Sequence, residues 1–263
     1  MKRNVNIRTL AVIASCSLLG CFWIGIFRDF TSFADDRGSK SSPASAAPAE
    51  LKYWHPAFDP VSARPGMPQV LLIGDSISIA YTLHVRGLLA QVADVHRPPV
   101  NCESTVLGLK EIDRWLGDRK WDVIHFNWGL HDLKLVKPDG AGENRPQGKQ
   151  AVSLEEYDKN LRALVSGLQK TGAKLIWATT TPVPKGTSNR LNGDEAAYNA
   201  VARRIMFERG IGVDDLHAFV LPRMREIQLP ANVHFTPEGS LQLAREVAGH
   251  IAAALEKPAQ VVP

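Results

Sequence analysis

Apolar residues run unbroken from Val70 to Ile73 in "VLLIGDSISIA", stop at Gly74, and resume after Asp75-Ser76 at a helical spacing through Ile77, Tyr81 and Val85. A short apolar run closed by a glycine reads as a buried strand, and a 3.6-residue period reads as an amphipathic helix. The same alternation repeats down the chain. Strands are predicted at Val70 to Ile73, weakly around Val92 to His96, at Val123 to Asn127 ("VIHFN"), at Lys174 to Thr179 ("KLIWAT") and at Ile211 to Val213. The helices between them are punctuated. Ser153 with Glu156 forms a capping box ahead of "YDKNLRALVSGLQKTG", which Gly172 closes. A second helix begins at Asp194 and stops at Gly210, and a third opens on "TPEG" with Thr236 as N-cap and Pro237 at the first helical position. Strands alternating with helices predict βαβ units and a parallel sheet. The reading is therefore an α/β fold, a three-layer α/β/α doubly wound domain of about five parallel strands over residues 67–257, with a tail at 258–263.

Such sheets meet their ligands outside the carboxyl ends of the strands. The residues at those ends are Gly74-Asp75-Ser76, Asn101 onward, Asn127 to Asp132, Thr179 to Pro184 and Asp214-Asp215. The polar stretch Lys137 to Gln150 reads as a long loop over the same edge. Asp75 and Ser76 admit two readings: they cap the following helix, or Ser76 is a nucleophile and Asp75 supports its turn. His234, in "NVHFTPEGS", precedes the last helix, which in this architecture lies beside the first strand and carries the imidazole toward Ser76. A neutral imidazole there can take the serine proton and return it to a leaving alcohol. Acyl transfer also needs donors for an oxyanion, and Asn127, His131, Asn101, Ser104 and Gly108 are the candidates at the neighbouring strand ends. Trp121, Trp128 and Trp177 read as core or pocket wall, and Asp132 as a carboxyl that bonds nearby backbone.

The N-terminus changes the picture of where such a domain would work. Lys2, Arg3 and Arg8 precede Thr9 to Phe27, 19 residues without a charge. As a helix this run is about 28 Å long, close to the hydrocarbon thickness of a bilayer. Basic residues before it and Asp35 and Asp36 after it predict an N-terminus kept in the cytoplasm and a domain carried outside. Residues 1–30 are thus read as an anchor or a cleaved signal, with a lipoprotein reading open at Cys16 or Cys21, and residues 31–66 as a Ser/Ala/Pro-rich tether. Only Cys102 remains beyond the leader, so no intrachain disulfide is available there. A net charge of +4 without a basic run excludes a nucleic-acid partner, and no zinc-type ligand spacing occurs.

Three blocks of the chain resemble the SGNH or GDSL-type hydrolases: "GDSIS" at Gly74 to Ser78, "GLHD" at Gly129 to Asp132, and "ANVHFT" at Ala231 to Thr236. Their order and strand context fit over roughly Met67 to Ile251. The absence of G-x-S-x-G speaks against the other common serine-esterase fold. The resemblance implies a flavodoxin-like sheet and a serine hydrolase acting on ester bonds. In it Ser76 is nucleophile, His234 proton shuttle, and the oxyanion is held by the Ser76 backbone N–H, His131 and a second-block N–H, with no cofactor and no metal. Where the family carries its oxyanion Asn this chain has His131, with Asn127 in reserve. The second-block donor is Gly108 or a backbone N–H between Glu103 and Ser104. Where the family carries its triad acid this chain has Ala231. The substitute is a backbone carbonyl by first choice, with Asn232, Asp214 and Asp215 as alternatives.

The resemblance and the leader together imply an exported, monomeric esterase on the periplasmic or extracellular side of a bacterial membrane, tethered there or secreted after cleavage. Its substrate would be short acyl groups, O-acetyl above all, on a small molecule or polysaccharide. The rival readings are an O-acyltransferase on a glycan and a non-catalytic glycan-binding surface protein.

Overall fold

The computed structural model describes residues 55–137 and 148–256, all within one compact unit that spans Glu50–Pro263. The expected anchor and most of the tether lie outside the described residues. Among the described residues no helix is long and apolar enough to cross a membrane.

After a 3-10 turn at Pro56–Phe58, the elements in chain order are β1 (Gln69–Ile73), α1 (Ser76–Leu88), β2 (Asp94–His96), α2 (Thr105–Leu116) and β3 (Val123–Phe126). A small antiparallel pair, β4 (Leu135–Val136) and β5 (Lys149–Gln150), closes the ends of the polar loop, whose middle lies outside the described residues. Then follow α3 (Leu154–Gln169), β6 (Lys174–Ala178), α4 (Asp194–Arg209), β7 (Gly212–Asp214), the short α5 (Leu216–Val220) and α6 (Met224–Ile227), and α7 (Pro237–Leu255).

Five strands form one parallel sheet in the order β2-β1-β3-β6-β7, the doubly wound arrangement in which the chain reverses direction beside β1. Leu71 lies level with His96 on one side and Ile124 on the other, and Phe126 with Trp177. The strands are buried on both faces, so Val70 to Ile73 reads as a continuous apolar run without alternation, and the one polar residue of β3, His125, is buried against Asp214. Helices α1 and α7 pack on each other over one face, while α2, α3 and α4 follow one another over the other. Trp121, Trp128 and Trp177 are all buried in the core.

Three of the capping signals act as written, while α3 ends at Gln169 with Lys170 as its C-cap, ahead of Gly172. Ser153 Oγ accepts from the Glu156 N–H, Thr236 Oγ1 from the Gly239 N–H, and Gly210 ends α4 at φ +65. One boundary moves. Residues 55–66, assigned to the tether from their composition, pack against the domain: Ala57 is fully buried and Arg64 pairs with Asp94, its Nε 2.6 Å from Oδ1. Pro and Ala are compatible with a tether and with a well-packed extended strap, and only tertiary contact distinguishes the two.

Candidate active site

Strand β1 delivers Ser76. The run of apolar residues ends because Gly74 must turn closely beside Ser78: a side chain on Gly74 would come within 2.9 Å of the Ser78 hydroxyl. Asp75 then caps α1, its Oδ1 accepting from the Ile77 N–H at 2.9 Å, and Ser76 is the first helical residue. The capping reading holds, and it is compatible with the other one, because capping by Asp75 is what puts Ser76 at the start of the helix. The Ser76 N–H is among the first four of α1, which have no carbonyl partner in the helix, and these lie at the positive end of its dipole.

His234 comes from the other end of the chain on a closed loop. Gln228 and Phe235 bridge its base, the Leu229 N–H donates to the His234 carbonyl at 2.9 Å, and the Gln228 amide donates to the carbonyls of Pro182 and Val233. The imidazole Nε2 lies 2.9 Å from Ser76 Oγ, 158 residues away in sequence.

Asn232 occupies the orienting position. Its Oδ1 accepts from the His234 backbone N–H at 3.0 Å and lies 2.8 Å from His234 Nδ1. The backbone donor fixes which amide atom faces the histidine, since an N–H can meet only the oxygen. Nδ1 must therefore carry the proton, and Nε2 is left with a lone pair for the Ser76 hydroxyl. Neither a backbone carbonyl, the first choice from sequence, nor the nearby acids take this place. Asp214 is buried and bound by His125 Nε2 at 2.9 Å and His250 Nε2 at 3.5 Å, and Asp215 caps α5 and pairs with Arg203. Ala231 has φ +50, a left-handed turn that starts the short path from Leu229 to the imidazole.

On the oxyanion side the candidates separate. Gly108 is withdrawn: it lies inside α2, its N–H donates to the Ser104 carbonyl at 2.9 Å, and a side chain there would come within 3.0 Å of the Trp128 ring. Its lack of a side chain serves packing. Asn127 donates from Nδ2 to the Ala178 carbonyl at 2.8 Å, tying the end of β3 to that of β6. Asn101 Oδ1 accepts from the Glu103 N–H, and Glu103 itself turns at φ +42. Ser104 is the N-cap of α2 without a capping bond from its side chain. Asp132 does that work from a distance, accepting from the N–H and hydroxyl of Thr105. Burial nevertheless pushes the Asp132 carboxyl up to about 7.

His131 sits half-buried in the turn after β3. Burial is the main cause holding its imidazole below the usual range, with Arg190 and Lys134 adding to it and Asp75 and Glu103 opposing. A neutral ring keeps one N–H donor and one bare nitrogen. The turn is gripped on both sides of His131, by Arg190 Nε donating to the Leu130 carbonyl and the Leu135 N–H donating to the Asn189 carbonyl, each at 2.8 Å. Gly129 cannot be replaced without conflict, because a side chain there would collide with the Thr180 hydroxyl.

Sequence reasoning passed over Arg97 and Arg190. Arg97 had a signal in "HRPP", a cation at a strand end followed by two prolines, where a solvated residue has no reason to be fixed. Arg190, within "TSNRLNG", had none. Burial also pushes the Cys102 thiol up to about 11, which leaves it unreactive. Among the described residues no group of three or more His, Cys, Asp or Glu side chains could hold a metal ion.

No protein-family profile and no curated protein matches the sequence. Solved structures do match in fold. The acetyl xylan esterase AlAXEase is 17% identical with a TM-score of 0.58, over 70% of this chain and 99% of that one. A lipase/acylhydrolase from Enterococcus faecalis is 22% identical with a TM-score of 0.55, over 73% and 100%. Axe2, an acetylxylan esterase from Geobacillus stearothermophilus, is 18% identical with a TM-score of 0.57, over 73% and 95%. What these similarities show is the fold, a three-layer α/β/α domain shared with these esterases and this acylhydrolase.

Proposed function

We propose that this chain is an exported, membrane-tethered serine esterase that removes short acyl groups, O-acetyl in particular, from carbohydrate. The observation that carries the reading is the line Ser76 Oγ, His234 Nε2, His234 Nδ1, Asn232 Oδ1, with 2.9 Å and 2.8 Å at its two contacts.

Ser76 Oγ attacks the ester carbonyl as its proton passes to His234 Nε2. The resulting imidazolium is held by its Nδ1–H on Asn232. The oxyanion rests on the Ser76 N–H and the His131 ring N–H. His234 then protonates the leaving alcohol, and water, deprotonated by the same nitrogen, hydrolyses the acyl-serine. A neutral amide stabilises the imidazolium less than a carboxylate does, because charge-assisted bonds are roughly twice as strong as neutral ones. The carbohydrate ester is suggested by the acetylxylan esterases among the similar folds. Export rests on the charge-free run from Thr9 to Phe27.

The test is hydrolysis of p-nitrophenyl acetate and of an acetylated xylo-oligosaccharide by the full chain, beside Ser76→Ala and His234→Ala. Loss of at least about 10³-fold in both variants, with no phosphonate label on Ser76→Ala, is the expected result. Equal rates in wild type and Ser76→Ala overturn the proposal.

A further inference from the structure

Arg97 is nine-tenths buried behind the nucleophile turn and, among the described residues, has no carboxylate as a hydrogen-bond partner. Its five hydrogen bonds all go to neutral oxygens. Nη1 donates to Ser78 Oγ and Thr82 Oγ1, each at 3.0 Å, Nη2 to the carbonyls of Gly74 and Val100 at 3.2 Å, and Nε to the carbonyl of Pro98 at 3.2 Å. Two of these partners bracket Ser76, one on each side. Ser78 extends the grip, since its own hydroxyl donates to the Asp75 carbonyl at 2.8 Å. A guanidinium in a buried site is costly unless its donors are met, and here the nucleophile turn supplies oxygens that meet them.

Arg97 is covered by the strap formed by residues 55–64. The Phe58 ring lies over the guanidinium, 5.5 Å from its centre to Cζ. The strap is fastened beside it, where Arg86 Nη2 donates to the Asp59 carbonyl at 3.2 Å, and at its far end, where the Arg64 N–H and Nε both donate to the Asp94 carboxylate at 2.6 Å. Burial pushes the guanidinium below its ordinary range.

We infer that Arg97 is a positioning residue for Ser76, and that Phe58 of the strap, by closing over the guanidinium, couples the segment just after the tether to the nucleophile. A planar fork is needed to reach Gly74, Ser78 and Thr82 together. Lysine, a single point charge on a flexible stem, reaches one or two of them.

This inference rests on Ser76 being the nucleophile, so the experiment separates the two. In the full chain, Arg97→Lys, Phe58→Leu, Phe58→Tyr and Ser78→Ala are compared with wild type and Ser76→Ala. The readouts are p-nitrophenyl acetate turnover, the rate of phosphonate labelling and circular dichroism. Arg97→Lys is expected to fold and to lose about 100-fold in kcat and labelling rate with KM within about twofold, the scale of a misplaced reacting atom. Ser78→Ala and Phe58→Leu, milder changes that keep the fold, are expected to lose several-fold in the same two quantities, and Phe58→Tyr, which keeps a ring over the cation, to recover them.

If Ser76→Ala abolishes labelling while Ser78→Ala, Phe58→Leu and any folded Arg97 variant label at the wild-type rate, the inference is overturned and the nucleophile stands. Undiminished turnover in Ser76→Ala overturns both.

Discussion

Asn232 and His234 meet twice across a single intervening residue, once through the backbone N–H of His234 at 3.0 Å and once through its Nδ1 at 2.8 Å, both on the same amide oxygen. In serine-protease triads an asparagine in place of the acid costs about 10⁴ in rate, chiefly because the ring adopts the wrong tautomer. Here the backbone contact removes that failure by forcing the oxygen toward the ring. What the chain gives up relative to an acid is charge, and the tautomer is retained.

Asn232→Asp should therefore raise kcat, and the acid limb of the pH–rate profile should move to higher pH, because a carboxylate favours the imidazolium. Asn232→Leu, which removes both contacts, should lower kcat by about 10² or more with KM little changed. Steady-state kinetics from pH 5 to 9 check both. A wild-type rate in Asn232→Leu would mean that this amide does not orient the base.

Asp132 gives a stability signature. Its folded carboxyl titrates at about 7 against an ordinary value of 3.8, so the folded state holds the proton more tightly than the unfolded chain. Stability from this group is fully present below pH 3.8, declines as pH rises, and is lost by about pH 7. Asp132→Asn keeps an oxygen for Thr105 and removes the titration. Urea unfolding at pH 5 and pH 8 should show wild type losing more stability between the two than the variant does, by a few kcal/mol at most, about 1.4 per pKa unit.

The pair formed by His125 and Asp214 is buried and shares no hydrogen bond with Ser76, Asn232 or His234. Asp214→Ala should destabilise the protein by about 3 kcal/mol, because it leaves His125 buried without its partner. The folded fraction should keep kcat within about threefold of wild type, since Asp214 does not touch His234. A collapse of kcat in folded protein would restore Asp214 as a candidate acid.

Gly129→Ala should cost about 1–3 kcal/mol, the scale of overpacking, since the new methyl meets the Thr180 hydroxyl. Thr180→Ala in the same chain should return part of that loss, and a double-mutant cycle by thermal unfolding measures the coupling.

The sheet was legible because parallel strands buried on both faces are predominantly apolar: Val70 to Ile73 and the end of β6 are wholly so, and β3 is so but for His125, which Asp214 meets. The helix ends were legible because capping is local: Ser153, Thr236 and Gly210 each satisfy or turn backbone within a few residues of themselves. Gly108 was misread for the opposite reason. A glycine near a strand end looks the same whether it offers its N–H to a ligand or makes room for an indole, and only the position of Trp128 across the interface separates the two.

By itself, then, the order of apolar runs and turn residues determined the three-layer sheet and put Ser76 and His234 at its carboxyl edge as candidates, while their roles came from the blocks "GDSIS" and "ANVHFT" and the family these resemble. The tertiary structure decided what depends on contacts between distant segments. It made Asn232 the partner of the imidazole, set Arg97 behind the turn that carries Ser76, and packed residues 55–66 onto the domain. Side chains separated by tens of residues exchange hydrogen bonds only once packing has fixed their directions, and no local pattern encodes that.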